Sequence, residues 1–111
     1  MKSYLHKLVK VIIDRPLGSR HPTYNYIYPL NYGYIPNTIS GNNEEVDAYI
    51  IGEFEPLSEF EGYVVAIIKR INDIEDKLII CKDLNNYNKG QIKALVEFQE
   101  RFFDSIIIMN N

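Results

Sequence analysis

Short apolar segments separated by polar turns constrain the fold of this 111-residue chain more than any other feature. Each segment is only a few residues long, and its β-branched and aromatic side chains favour a strand. The predicted strands lie at 5–14, at 24–35 with an interruption at Pro29, at 46–52, at 63–71 and at 77–81. Because strands this brief and closely spaced are typical of barrels, we expect a small closed β-barrel rather than a layered parallel sheet.

One amphipathic helix is predicted near the C-terminal end. Asn88, followed three residues later by Gln91, fits a capping box. Residues with helical spacing follow: Ile92, Leu95, Val96, Gln99, Phe102 and Phe103. Because most of them are apolar, this face is expected to cover one end of the barrel. Residues 105–109 fit either a final short strand or an exposed apolar tail, so the fold class is mainly β with one or two α-helices.

Composition predicts one domain over residues 1–111, since 46% hydrophobic residues suffice for a modest core. The 15 acidic residues outnumber the 12 basic ones, which argues against nucleic-acid binding. The single cysteine, Cys81, can form no internal disulfide and is expected to be buried. With no signal-peptide pattern and no apolar stretch of membrane length, the expected location is the cytoplasm, without a membrane.

Tyrosines and carboxylates alternate with turns in the segment 28–47. Tyr28 and Tyr32 have the spacing of a half-buried strand, so their rings can pack while their hydroxyls donate to an anion. Glu44, Glu45 and Asp47 follow a polar turn, and their mutual repulsion favours a cation between them. Oxygen ligands suit magnesium, manganese or calcium. A hard cation beside hydroxyl donors is a site for phosphate.

Each of these acids also has a simpler interpretation. Asp47 begins an apolar strand and is the strongest candidate ligand, but it also fits a solvated turn residue. Glu45 is expected to be solvated. A second acidic cluster at 72–77 contains Asp73, Glu75 and Lys77, and two carboxylate clusters with a lysine suit multi-metal phosphoryl transfer. Taken alone, the second cluster also fits an ordinary charged hairpin loop.

Three strings resemble the soluble, family I inorganic pyrophosphatases. YPLNYGYIP at 28–36 resembles the family's YPxNYGYIPxT strand, VIIDRPLGS at 11–19 its opening VxIEIPxGS strand, and IEDKLII at 74–80 its later DxK strand. The resemblance covers most of a chain that is markedly shorter than a full member. It implies an OB-like barrel that hydrolyses inorganic pyrophosphate to two phosphates with metal-activated water. The implied cofactor is Mg²⁺, with Mn²⁺ as an alternative.

The resemblance also implies roles for individual residues. The implied metal ligands are Asp47, Glu44, Asn42, Asp73 and Glu75, with Asn42 at the place of the motif's first aspartate. The implied catalytic residues are Glu44, Lys77 and Tyr32, and Glu44 helps to activate water. Phosphate is expected to bind to Tyr28, Tyr32 and Lys77, with Arg20 as a substitute anion donor.

The chain departs from the family pattern at several places. Asp14 stands where the opening strand has glutamate, and a hairpin with an arginine is missing. Phe102 and Phe103 match a Tyr-Lys pair and cannot bind phosphate. Two further hypotheses therefore stand: a degenerate barrel that binds a phosphate compound or a protein partner without turnover, and a hydrolase of another small phosphate substrate. The apolar end segment favours a homo-oligomer, and so does the resemblance, because pyrophosphatases are commonly oligomeric.

Overall fold

Six β-strands and one α-helix form the fold in the computed structural model, which describes residues 1–110. The elements are β1 (Leu8–Arg15), β2 (Asn31–Ile35), β3 (Val46–Ile50), β4 (Glu59–Arg70), β5 (Lys77–Cys81), α1 (Lys89–Glu100) and β6 (Ser105–Ile108). The sheet order is β1-β2-β3-β5-β4-β6, and an additional β1–β4 pairing closes the first five strands into a barrel. The predicted mainly β, closed-barrel fold with a packed helix is confirmed.

The pairing pattern explains how so few residues close a barrel. All neighbouring strands are antiparallel except β3 and β5, which run parallel with Asp47 opposite Lys77. The long β4 pairs with β1 through its first half and with β5 through its second half. β4 therefore closes the barrel by pairing with both β1 and β5, while β6 pairs as an edge strand with the C-terminal end of β4.

Side chains from the barrel strands are buried on both faces of the sheet. One cluster fills the interior and receives side chains from all five barrel strands, among them Val11, Ile35, Ala48 and Ile80. The second cluster lies between the outer face and α1, where Ile92 and Val96 pack. Burial on both faces explains the nearly continuous apolar sequence of β5, including the buried Cys81.

The helix begins as predicted. Asn88 caps it, with its side chain accepting from the Gln91 backbone N–H at 2.8 Å, while Gln91 reciprocates at 2.9 Å. The predicted apolar face was wrong in part, because Leu95 is exposed and Phe102 lies beyond the helix with 61% of its surface exposed. Gln99, which belongs to the predicted face, and Glu100, which does not, are both buried in its last turn. Both belong to the site described below.

Two predicted strand starts were wrong by four residues or more. The segment predicted at 24–35, with an interruption at Pro29, forms a strand only over Asn31–Ile35, since Pro29 lacks the N–H that a ladder requires. Before it, the loop makes a single bridge between Arg20 and Ile27. In β4 the strand begins at Glu59, because its polar first residues pair with β1. Of the two alternatives for 105–109, the strand is confirmed.

Candidate active site

A cavity of about 530 Å³ opens between the outer face of the barrel and the end of α1. Its charged lining consists of Asp14, Glu44, Asp47, Arg15, Arg70 and Lys77. Its aromatic and polar lining consists of His21, Tyr24, Tyr26, Tyr28, Tyr32, Gln99, Phe102 and Phe103. Acids, cations and phenols from five strands and two loops therefore converge on one space.

A β-bulge in β1 places two consecutive side chains in this cavity. Ile13 pairs with Gly33 and Arg15 pairs with Tyr32, so Asp14 is the extra residue and the register shifts across it. In a regular strand, consecutive side chains point to opposite faces of the sheet. The bulge breaks that alternation, and both Asp14 and Arg15 line the cavity.

Two neighbouring glycine and asparagine positions hold the β1–β2 pair in register. A Cβ on Gly33 would lie 1.9 Å from the Ile12 carbonyl oxygen, so only glycine fits there. Asn31 is fully buried, and its Oδ1 accepts from the backbone N–H groups of Leu17 at 2.9 Å and Leu57 at 3.0 Å. These contacts tie the loop after β1 and the loop before β4 to the start of β2.

Lys77 lies between two carboxylates at the floor of the cavity. Its Nζ donates to Asp47 Oδ2 at 2.6 Å and also to Glu75. Tyr32 donates its hydroxyl proton to the same Asp47 oxygen at 2.8 Å. Asn42 donates to Glu75 Oε2 at 3.2 Å. Because Lys77 is almost wholly buried, these two acids supply the negative charge that its ammonium group requires.

The pKa values of the two acids move in opposite directions. Burial opposes ionisation of Asp47, but the neighbouring Glu75 carboxyl and the Lys77 ammonium hold the pKa of Asp47 below its ordinary value. Burial and the neighbouring Asp47 carboxylate raise the pKa of Glu75. Asp47 is therefore the member of the pair that stays ionised, and Glu75 takes up a proton first.

The tyrosine hydroxyls remain neutral donors. Burial, followed by the negative charge of Asp47, raises the pKa of Tyr32 well above its ordinary value. Burial also raises the pKa of Tyr28, whose hydroxyl donates to Gln99 Oε1 at 3.1 Å. Tyr26 donates to the same oxygen at 2.8 Å. In this arrangement Tyr28 already has an acceptor, which an incoming phosphate oxygen would have to replace.

Arg70 is a cavity residue that sequence reasoning missed. Its guanidinium donates to Glu100 at 3.1 and 2.7 Å and to Asp73 at 3.2 Å, and it lies 3.7 Å from the Phe103 ring centroid. The Tyr49 hydroxyl also donates to Glu100, at 2.7 Å. The signal in the sequence was a basic pair, Lys69 and Arg70, that ends an apolar run, but the main partner, Glu100, lies 30 residues along the chain.

The structure brings together part of the predicted site. Five predicted residues line the cavity: Tyr28, Tyr32, Glu44, Asp47 and Lys77. Glu75 lies behind Lys77 and binds Asn42. Asp73 is engaged by Arg70, and Arg20 donates to Asn25 in the exposed loop outside the cavity. The roles assigned to these nine residues stay predictions, while Arg15 and Arg70 are cavity residues without a predicted role.

The donor chemistry of the cavity fits a hard divalent cation. Asp14 and Glu44 make no ion pair within residues 1–110, and Asp47 lies beside them in the lining. Burial raises the pKa of Asp14, and the negative charges of Asp47 and Glu45 add to that effect. A cation would relieve this crowding. In the described part of the chain, however, no three acid, histidine or cysteine side chains converge into a finished metal centre.

Across the described residues, no helix combines the length and the apolar character needed to cross a bilayer.

Comparison with known proteins supports the sequence resemblance. The family model for inorganic pyrophosphatase matches residues 5–108. The inorganic pyrophosphatase of Neisseria meningitidis serogroup A is 30% identical over an alignment of 120 positions. The alignment covers 89% of this chain and 67% of that protein. The Helicobacter pylori enzyme of the same name is 25% identical over 93 residues, covering 69% of this chain and 54% of its own length. This chain thus spans about two thirds or less of these relatives.

Solved structures show the same fold. The inorganic pyrophosphatase of Ehrlichia chaffeensis superposes with a TM-score of 0.71 at 19% identity, covering 91% of this chain and 84% of that one. The Thermus thermophilus inorganic pyrophosphatase superposes with a TM-score of 0.64 at 17% identity, covering 90% of this chain and 79% of that one. The resemblance seen in the sequence is confirmed, and the chain belongs to the inorganic pyrophosphatases, a family of hydrolases.

Proposed function

We propose that this chain hydrolyses inorganic pyrophosphate to two phosphates and that it requires Mg²⁺, which Mn²⁺ can replace. The observation that carries the proposal is the convergence of Asp14, Glu44 and Asp47 with Lys77 and two neutral phenols on one cavity. Three further acids pair with the cavity's cations, so carboxylates outnumber cations in this region. Such a site repels a polyanion unless divalent cations bind first.

Asp47 and Glu44 are proposed as the main metal ligands, with Asp14 beside them. Asn42, Asp73 and Glu75 complete the predicted set, although Asp73 must first leave Arg70, and Glu75 must leave Lys77. The bound cation would neutralise phosphate charge and lower the pKa of a water molecule.

The chain's own residues would then orient the substrate and move protons. Lys77 is a fixed positive charge on the cavity floor, and Tyr32 is held neutral, so both favour phosphate oxygens. Glu44 is exposed at the mouth and makes no ion pair among the described residues, which leaves its carboxylate able to accept a proton from water. Hydrolysis adds one water across the P–O–P bond and releases two phosphates.

Phosphate release from pyrophosphate tests the proposal directly. Purified protein is assayed with Mg²⁺, with Mn²⁺ and with EDTA, and we expect turnover only with a metal. Asp47→Asn should lower the rate by about a hundredfold or more, since it removes a charged ligand while keeping the side chain's shape. The matched control is Asp83→Asn, an exposed acid remote from the cavity, which should keep full activity.

A second candidate is a barrel that binds a phosphate compound or a protein partner without turnover. Specific contacts favour it, because Glu75 already forms an ion pair with Lys77 and Asp73 forms one with Arg70. Asn42 brings no charge to a metal. If no phosphate is released under any metal condition while phosphate still binds, this candidate replaces the first. Release from a nucleotide or a phosphomonoester, but not from pyrophosphate, would instead assign another small phosphate substrate.

A homo-oligomer and a cytoplasmic location both stay predictions. The edge strand β6 leaves Ile106 with 48% of its surface exposed, and a second copy is the partner predicted to cover it. The location rests on a single cysteine, which can form no internal disulfide. Sedimentation velocity tests the oligomer.

A further inference from the structure

The three cations of the cavity differ in how they are paired. Arg70 is matched by Glu100 and Asp73, and Lys77 is matched by Asp47 and Glu75. Arg15 has no carboxylate partner within the residues that the structure describes. Its one side-chain hydrogen bond runs from NH1 to the backbone carbonyl of Asp14 at 3.2 Å. A guanidinium has five N–H donors, so most of this fork is available to a ligand.

The backbone explains why Arg15 faces the cavity at all. Without the bulge at Asp14, the side chains of Asp14 and Arg15 would point to opposite faces of the sheet. With it, both line the same cavity. Barrel packing does not require a cation here, because the outer cluster of the core is built from apolar and phenolic side chains. A bulge that re-aims a charged side chain into a cavity is typical of a binding site.

The charge of Arg15 acts on one side of the cavity. Burial raises the pKa of Asp14, and Arg15 is the strongest group opposing that rise. Burial and Tyr26 raise the pKa of Tyr28, and Arg15 again opposes them. The guanidinium therefore lies near the Asp14 carboxylate and the Tyr28 hydroxyl. Phe102 and Phe103, at the end of α1, add no charge to the lining.

We infer that Arg15 binds a terminal phosphate of the substrate, through a paired donation from its guanidinium that the bulge at Asp14 makes available. The inference rests on the proposed function and extends it, because no residue of this strand has a predicted role in holding phosphate. Arginine suits the task since its planar fork matches two phosphate oxygens. The two paired cations, Arg70 and Lys77, can offer a phosphate only the donors that their acids leave.

Substitution of Arg15 separates phosphate binding from chemistry. In the Mg²⁺ assay we expect Arg15→Gln to raise the KM for pyrophosphate by about tenfold to a hundredfold, with a smaller change in kcat. Arg15→Lys should recover part of the affinity, because it keeps the charge and loses the fork. Arg101→Gln is the matched control: it removes the same charge from an exposed arginine outside the cavity, where the guanidinium pairs with Glu97. Circular dichroism and urea unfolding check that each variant folds.

The outcomes distinguish this inference from the proposed function. If the wild type hydrolyses pyrophosphate and Arg15→Gln leaves KM unchanged, Arg15 is not a phosphate ligand, although the function stands. An equal rise in KM for Arg101→Gln would also overturn the inference, since it would show a general effect of charge. If the wild type shows no turnover, titration calorimetry with inorganic phosphate and Mg²⁺ decides: weaker binding by Arg15→Gln alone supports the inference, and equal binding overturns it.

Discussion

At the scale of single residues, the charges around the cavity are organised by pairing. A buried cation is strongly destabilising when its partner is removed, so Lys77 and Arg70 depend on acids that approach from other elements. The sequence identifies Lys77 through its neighbours Glu75 and Asp73, but it gives no sign that Asp73 belongs to Arg70 instead. The pairing of Arg70 with Glu100 could not be predicted, because it depends on where the closed barrel places a side chain 30 residues away in the sequence.

Tyr49 carries a prediction about alkaline pH. It is fully buried, and burial followed by the charge of Glu100 raises its pKa well above the ordinary 10.0. Between its unfolded and folded pKa values the folded protein holds one more proton than the unfolded chain, so stability falls as the pH rises above about 10. Tyr49→Phe should make that fall shallower by about 1.4 kcal/mol per pH unit, measured by urea unfolding from pH 8 to pH 11.

The control for this measurement is Tyr24→Phe. Tyr24 has 73% of its surface exposed, so Tyr24→Phe removes a hydroxyl that folding leaves in solvent, and the wild-type slope should persist. Equal slopes for the wild type and Tyr49→Phe would show that the hydroxyl of Tyr49 titrates without penalty in the folded protein. At neutral pH, Tyr49→Phe also loses its hydrogen bonds with Glu100 and Gln99, which lowers stability without changing the slope.

At the scale of elements, predictability follows the range of the interactions. The strand β5 was predicted at its observed bounds, since a run of apolar β-branched residues after Lys77 is a local signal. The start of α1 was predicted because the capping box lies within four residues. The bulge in β1 was missed, because it is a mismatch between two strands and neither strand shows it alone. Arg15 was overlooked for the same reason.

Gly33 carries a prediction about the β1–β2 pair. Gly33→Ala would place a methyl group 1.9 Å from the Ile12 carbonyl oxygen, and neither backbone can move without disturbing the ladder. We expect a loss of about 3 kcal/mol in the free energy of unfolding, measured with urea. Gly90→Ala is the matched control in α1: its new methyl group meets only Asn88 Oδ1, at 3.5 Å, and should stabilise the protein by about 0.5–1 kcal/mol. Equal effects would mean that the strands adjust to the methyl group.

At the scale of the whole molecule, closure of the barrel assembles the cavity. Asp14 comes from β1, Tyr32 from β2, Asp47 from β3 and Lys77 from β5, and the parallel β3–β5 pairing sets Asp47 opposite Lys77. The helix end then adds Gln99 against Tyr28. The cavity therefore exists only in the folded chain, so a ligand that binds it must stabilise the fold as a whole.

Magnesium should reveal that coupling without any measurement of catalysis. Because Asp14, Glu44 and Asp47 line one cavity, Mg²⁺ is expected to bind the folded chain and to raise the midpoint of thermal unfolding as its concentration rises. At a hundred times its Kd the gain is about 2.7 kcal/mol, which corresponds to about 10 °C or more for a chain of this size. Asp47→Asn should lose most of this gain, and Asp83→Asn should keep it. A wild-type midpoint that stays the same from EDTA to millimolar Mg²⁺ would show that these carboxylates hold no metal, and Lys77 would then be the permanent cation of the site.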